Sequence, residues 1–230
     1  MHIYLFQRDL RIHDQPLLLQ ALKSGPTIGL FVFDPKDLGD TSYGFLKRGH
    51  YQRLFIYESL VDLKQSLAEF NIPLLVKIGH LDEIIHTLKT NHSIERIYYE
   101  TLLGSEESKR YEQLNALGIP LVTDTFKSLY HKDDLPYDDS KIPETFTYFR
   151  KRLEKEGSIR KTSLPLLKQH PINQSLPSWW VTKEDLNIKN IVSTYKGGEQ
   201  EGLKRVQYYF FDTKKVGGYK FTRNGMLKKD

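Results

Sequence analysis

Short β-rich runs alternate with helical periodicity from the first residues onward, and no other feature limits the fold so tightly. Residues 3–6, 27–33, 74–78, 94–99 and 119–123 are short, apolar, and bounded by Gly, Pro, Asn or charged residues. Between them lie helical patterns: residues 16–23, then Ile56, Leu60, Leu63, Leu67 and Phe70, then Leu81, Ile84, Ile85 and Leu88, and finally Tyr111, Leu114 and Leu117. Spacings of three and four place each set on one helix face. Ser105, with Glu106 and Glu107 behind it, suits a helix cap, and Gly118 suits a helix end. Five buried strands joined by helices, in units of roughly 25–30 residues, predict an α/β fold. It is a doubly wound, Rossmann-like, five-stranded parallel sheet with helices on both faces, over residues 1–130.

Ligands of such sheets bind outside the C-terminal strand ends, where the strand order switches direction. The loops after Phe6, Phe33, Ile78 and Tyr99 are therefore where a site is expected. Neither Gly-x-Gly-x-x-Gly after the first strand nor Gly-x-x-x-x-Gly-Lys-Ser/Thr is present, which argues against dinucleotide dehydrogenases and P-loop enzymes.

After residue 130 the pattern changes. Pro136, Pro143, Pro165, Pro171 and Pro177 space out a segment with one helical stretch, 146–156, and the adjacent Trp179 and Trp180. Residues 131–195 read as an interdomain connector. A last helix is expected over 199–211, with Leu203, Val206 and Phe210 on one face after the Gly197-Gly198 break. Residues 196–230 hold too little apolar material for a core of their own and read as the incomplete start of a helical domain.

Composition removes several function classes. With no cysteine, the chain has no disulfide, Cys-ligated zinc, iron–sulfur cluster or Cys nucleophile. No apolar run reaches about 18 residues, so no membrane span is expected. The N-terminus enters a strand and then charges, unlike a signal or transit peptide, so the expected location is cytoplasmic. A net charge of +5 permits nucleic acid without requiring it. Much of the positive charge gathers late, at Lys204, Arg205, Lys214, Lys215, Lys220, Arg223, Lys228 and Lys229, interleaved with Tyr208, Tyr209, Phe210, Phe211, Tyr219 and Phe221. An amphipathic helix with a basic outer face accounts for that pattern equally well.

Residue types alone assemble no convincing catalytic constellation. His2, His13, His50, His80, His86, His92, His131 and His170 lack metal-ligand spacing and read as surface or hydrogen-bonded histidines. Asp9, Arg11 and Asp14 follow the first strand, where they either serve a site or form an ion-pair group that fixes the loop and caps the helix at Pro16. Glu100, at the end of the fourth strand, is placed to cap or to accept a ligand hydrogen bond.

Five blocks carry a family resemblance: FQRDLRIHD at 6–14, HKDDLP at 131–136, IPETFTYFRK at 142–151, GGE at 197–199 and YKFTRNGM at 219–226. The first closely resembles the opening of the photolyase/cryptochrome family, and the others resemble its DASH-type cryptochrome branch, in the right order across almost the whole chain. The resemblance implies an N-terminal α/β domain, a long connector and a helical domain that binds FAD. It implies blue-light-driven electron transfer from reduced FAD to a cyclobutane pyrimidine dimer, for this branch in single-stranded DNA, or else blue-light sensing. Methenyltetrahydrofolate is the antenna chromophore it suggests. By the same resemblance Glu100 contacts the antenna folate, Tyr219 is the first tyrosine of the FAD site, and Arg223 contacts DNA.

The next flavin motif of the family would follow Asp230. Alone the chain is therefore expected to bind FAD weakly or not at all and to be inactive, with a companion chain as one possible source of the helical domain. Trp179 and Trp180 are not the family's electron-relay tryptophans. Gln7, Gln15 and Gln52 depart from the usual arginine, asparagine and arginine, the last before the long helix. The competing reading is a stand-alone, non-enzymatic α/β ligand-binding or interaction module, with a small ligand at the edge formed by Asp9, Asp34 and Glu100.

Overall fold

The computed structural model describes residues 1–102, 104–126, 128–161, 165–189 and 191–224. Its centre is the expected doubly wound parallel sheet: β1 (His2–Phe6), β2 (Thr27–Phe33), β3 (Leu74–Ile78), β4 (Arg96–Glu100) and β5 (Leu121–Asp124), in the order β3-β2-β1-β4-β5. The order reverses direction between β1 and β4. Helices α1 (Pro16–Ser24), α2 (Pro35–Leu38), α3 (His50–Ala68), α4 (Leu81–Asn91) and α5 (Ser105–Asn115) complete this part.

Alternation along each strand builds two cores. Tyr4, Phe6, Phe31, Phe33, Leu74, Val76 and Tyr98 point to one face, where they meet Leu17, Leu18 and Leu22 of α1 and Leu60, Leu63 and Leu67 of α3. Ile3, Leu5, Ile28, Leu30, Leu75, Ile97 and Tyr99 point to the other, against Ile84, Ile85 and Leu88 of α4 and Leu114 of α5. The side chain of Tyr111, read as part of that helix face, lies outside the described residues.

Several boundaries differ from the sequence reading. β4 and β5 begin two residues after their apolar runs, because Ile94 and Ile119 plug the second core from the loops instead of joining the ladder. Pro120 cannot donate, and its carbonyl accepts from Ile97 N at 3.0 Å. Helix α3 starts well before Ile56 and stops before Phe70, where Asn71 turns left-handed at φ 58°. Gln52 thus sits inside α3, not before it. Gly104, not Ser105, precedes α5 as its cap position, with no side-chain cap. Gly118 does adopt the left-handed conformation expected of it, φ 63°.

Two further helices follow, α6 (Phe146–Glu156) and α7 (Glu199–Val206). α7 is shorter than the expected 199–211: Gln207–Asp212 continue as a wider π turn, with Thr213 N and Oγ1 both bonded to the Tyr208 carbonyl, five residues back, at 3.0 and 2.7 Å. A four-residue helix, α8 (Tyr219–Thr222), comes last. Among the described residues from 196 onward, only Gly197 is buried.

The segment between α6 and α7 straps the sheet. Leu166, Val181 and Leu186 are buried in the first core, and Ile172, Leu176 and Trp179 pack on the second. Gln169 ties the N-terminal end of the sheet: its carboxamide accepts from Thr27 N at 2.8 Å and donates to the carbonyls of Thr27 and Asn71. Trp179 O accepts from Val76 N of β3 at 3.0 Å, while Lys77 and Lys64 lie over the rings of Trp179 and Trp180.

His2 contradicts the expectation for the histidines. It is buried at the start of β1 with neither ring nitrogen hydrogen-bonded, in edge-to-face contact with Tyr98. A buried polar atom without a partner costs about 1–3 kcal/mol. His2→Leu removes both at similar volume and is expected to stabilise the fold by about 1 kcal/mol, raising the thermal midpoint by about 2–4 °C in a scan of the two proteins.

Candidate functional site

The chain leaving β1 is held by a buried polar knot. Tyr4 OH donates to Asp9 Oδ2 at 2.7 Å, Gln7 N to Asp9 Oδ1 at 2.9 Å, and Gln15 Nε2 to the Asp9 carbonyl at 2.9 Å. Burial first, and the neighbouring Asp9 carboxylate second, hold the Tyr4 phenol well above its ordinary range, so it stays protonated and donates. Asp9 is only 2% exposed. The ion-pair reading of this loop therefore needs correction: Asp9 is satisfied from the strand and from Gln15, while Arg11 donates to the carbonyls of His13 and Asp14. Gln15 occupies the cap position of α1 without a side-chain cap, ahead of Pro16 in the first turn.

With that loop fixed, the carboxyl ends of β1 and β2 open onto a cavity of about 670 Å³. Residues from all four expected loop regions contribute: Gln7, Arg8, Leu10 and Arg11 after β1, Asp34 and Asp37 after β2, Leu81 after β3, and Leu102, Glu106 and Glu107 after β4. Phe31, Phe55 and Ile56 give it apolar wall, and Gly198 and Glu199 close one side. The size lies within the range of small-molecule sites.

Ion pairs ring the cavity. Asp37 is buried and holds Arg48 at 2.6 Å and Lys47 at 3.0 Å. Lys47 also pairs with Glu106, and Arg8 with Glu107 at 2.7 Å. Hydrogen bonding to Glu106, then to Asp37, holds the Lys47 ammonium above its usual range. Asp34 caps α2 by accepting from Lys36 N at 2.9 Å.

The glycines of the GGE block permit a close approach. A Cβ on Gly197 would overlap the Phe55 carbonyl and lie 2.8 Å from Ser59 Oγ, and Gly198 needs φ 115° against Asp62. That approach lets Gly197 N donate to Glu58 and Glu199 N to Asp62, at 2.8 and 2.7 Å. Glu199 then reaches across to accept from Ile12 N and His13 N, each at 2.9 Å. The glycine pair signalled a break; that the next residue clamps the loop after β1 was not readable from it.

Glu100 ends β4 buried, at 3% exposure, with Oε1 accepting from Phe126 N at 3.0 Å and its carbonyl accepting from Gln7 Nε2 at 2.8 Å. It sits beside the cavity without lining it. Of the Asp9, Asp34 and Glu100 set proposed as one ligand edge, only Asp34 reaches the cavity wall. Tyr219 and Arg223 lie one turn apart on α8 and just after it, both exposed, with Arg223 N bonded to the Tyr219 carbonyl at 2.9 Å. They line neither this cavity nor the shallow one beside His92 and Trp179. Gly225, Met226, Lys228 and Lys229 lie outside the described residues.

His131 is buried as a hydrogen-bonded histidine, Nε2 2.7 Å from Asp124 Oδ1 and Nδ1 accepting from Asp133 N at 3.2 Å. No cluster of three metal-capable side chains occurs among the described residues. No helix among them is long and apolar enough to cross a membrane. Lys47, Arg48, Asp37 and Glu199 are site residues that sequence reasoning missed.

A family profile described as DNA photolyase matches residues 2–171. The cryptochrome DASH of Gloeobacter violaceus is 35% identical over 98% of this chain, which spans 47% of that protein. A Synechocystis cryptochrome crystal structure superposes with a TM-score of 0.83 at 32% identity, covering 98% of this chain and 49% of that one. An archaeal photolyase from Sulfolobus tokodaii, solved with two FAD molecules, shares the fold at a TM-score of 0.66 and 21% identity, over 88% of this chain and 45% of its own. The chain thus spans about half the length of the relatives it matches.

Proposed function

The chain belongs to the DNA photolyase family, and from that membership we propose that it is the antenna-bearing part of a DASH-type cryptochrome/photolyase. In this reading residues 1–130 form the antenna domain, 131–195 the connector and 196–230 the opening of the FAD-binding helical domain. The parent protein uses blue light and reduced FAD to split cyclobutane pyrimidine dimers in single-stranded DNA, or senses blue light. One observation carries the proposal: a 670 Å³ cavity at the carboxyl ends of β1 and β2, with Phe31, Phe55 and Leu81 on its walls and Arg8, Arg11, Lys47 and Arg48 among its linings. Apolar walls suit a planar chromophore, and the cations suit its anionic group. The two FAD molecules of the archaeal photolyase make a second, light-harvesting chromophore a reasonable occupant.

Methenyltetrahydrofolate is the first chromophore to test, with Glu100 holding the β4 end of the site from beside the cavity. When bound it supplies light absorption; the chain's own residues bind and orient it. Arg223 is assigned to DNA phosphate, in keeping with the charge distribution. Residues 196–230 carry nine Lys and Arg against four Asp and Glu, which is the whole of the chain's net +5. Leu203, Val206, Phe210 and Phe221, all exposed, would face the helical half, whether in the same polypeptide or in a companion chain.

The test is an absorption spectrum of the 230-residue protein after gel filtration from methenyltetrahydrofolate and, separately, from FAD. Retained folate, with no flavin uptake that depends on Tyr219, is the expected result. Failure to retain any chromophore would sink the antenna reading. Stoichiometric FAD that is lost in Tyr219→Ala would mean that this chain builds its own catalytic flavin site.

A further inference from the structure

Resting on the reading of the cavity as a chromophore site, we propose that Glu106 and Glu107 are displaceable stand-ins for a ligand's anionic group. The first turn of α5 is then a latch, holding Lys47 and Arg8 until an aromatic ligand bearing phosphate or carboxylate takes them over.

The cavity's ion pairs divide into two kinds. Asp37 is buried and binds Arg48 and Lys47 from the stretch that follows β2, so that contact belongs to the frame. Glu106 and Glu107 come from a different element, and each pair is open to solvent on one side: the Glu106 side chain is 67% exposed and that of Arg8 72%, against 32% for Lys47 and 17% for Glu107. Pairs with one solvent-exposed member are screened by salt and contribute modest net stability. All four residues line the cavity, so withdrawing the two carboxylates leaves Arg8 and Lys47 facing it, with Lys47 still held from behind by Asp37.

Two features of α5 suit it to release. Among its described side chains only Leu114 is buried, so its first turn has little packing to lose. Gly104, at its cap position, leaves the space into which Glu107 folds back, and a Cβ there would collide with the Glu107 carboxylate. The latched pose of Glu107 thus depends on a missing side chain. Helix α5 also directs its N-terminus toward the rim, where the helix dipole favours an incoming anion once the carboxylates have swung out.

Paired titrations with FMN and with riboflavin, which carries the same ring without phosphate, read the latch directly. Glu106→Gln with Glu107→Gln is expected to raise FMN affinity about tenfold and to leave riboflavin within about twofold. Arg8→Gln with Lys47→Gln should cut the preference for FMN over riboflavin about tenfold, with Arg11 and Arg48 left in the lining. Independently of any chromophore, hydrogen exchange at the amides of residues 104–108 should rise in the double Gln variant and fall with inorganic pyrophosphate, compared with sodium chloride of equal ionic strength. Unchanged FMN affinity in that variant, or unchanged exchange, overturns the latch. If exchange responds but FMN, riboflavin and methenyltetrahydrofolate all fail to bind the wild-type chain, the chromophore reading falls while the latch stands.

Discussion

Arg53→Met is expected to lower the stability of the chain by about 3–5 kcal/mol, enough to consume much of the margin of an ordinary domain. Arg53 lies on the inner side of α3 at 2% exposure, and its guanidinium ends on three main-chain carbonyls: Arg48 at 2.7 Å, Leu38 at 2.6 Å and Leu186 at 3.0 Å. The three come from the turn just before α3, the end of α2 and the strap. Methionine fills a similar volume but donates nothing, so each carbonyl is left buried or must find water, at about 1–3 kcal/mol apiece. Urea unfolding of wild type, Arg53→Met and Arg53→Lys measures the effect. Lysine keeps the charge but not the planar fork and should fall between the two. A methionine variant within about 1 kcal/mol of wild type would show that these carbonyls are satisfied by other means.

Gly197→Ala is expected to undock α7 while leaving the sheet folded. The new Cβ overlaps the Phe55 carbonyl, which belongs to the backbone of α3 and cannot rotate away. The segment must therefore retreat, and the bonds from Gly197 N to Glu58, from Glu199 N to Asp62, and from Ile12 N and His13 N to Glu199 are lost together. Trypsin cleavage after Lys204 and Arg205 should speed up by about tenfold or more, with far-ultraviolet circular dichroism of the sheet unchanged. Gly202→Ala is the control: open space surrounds it in the interior of α7, and a helical alanine is worth about 1 kcal/mol over glycine. Equal cleavage rates in Gly197→Ala and wild type would refute the docking role of the glycine pair.

The sheet was legible because each strand is a short apolar run whose alternate residues serve two cores, so Tyr4 and Phe6 face one side and Ile3 and Leu5 the other. Period and punctuation were enough for that. They were not enough where a residue acts through a distant backbone atom. Arg53 carries no signal in the helical pattern that would single it out, and Glu199 entered only as the last residue of the GGE block, since the carbonyls and amides they bind are chosen by tertiary packing. Asp9 was noticed for its position at a strand end, yet burial turned it toward Tyr4 and Gln15 instead of a ligand. Ile94 and Ile119 misled in the opposite sense: their apolarity serves core burial from a loop, and sequence cannot separate that from a ladder position. The cavity rim escaped because Lys47, Glu106, Arg8 and Glu107 lie far apart in the chain and form pairs only once the strand order brings their loops together.

The bond from Val76 N to Trp179 O has a consequence for handling the protein. β3 ends the sheet on its side, and an outermost strand with free amides and carbonyls is a template onto which another chain can add, the first step of edge-to-edge aggregation. Here the chain's own Trp179 occupies part of that template, and the lysines over Trp179 and Trp180 place positive charge along the same border. The family match ends at residue 171, before this stretch begins. A preparation trimmed to the matched region would keep all five strands and yet uncover β3, gaining a self-association liability that the longer chain suppresses.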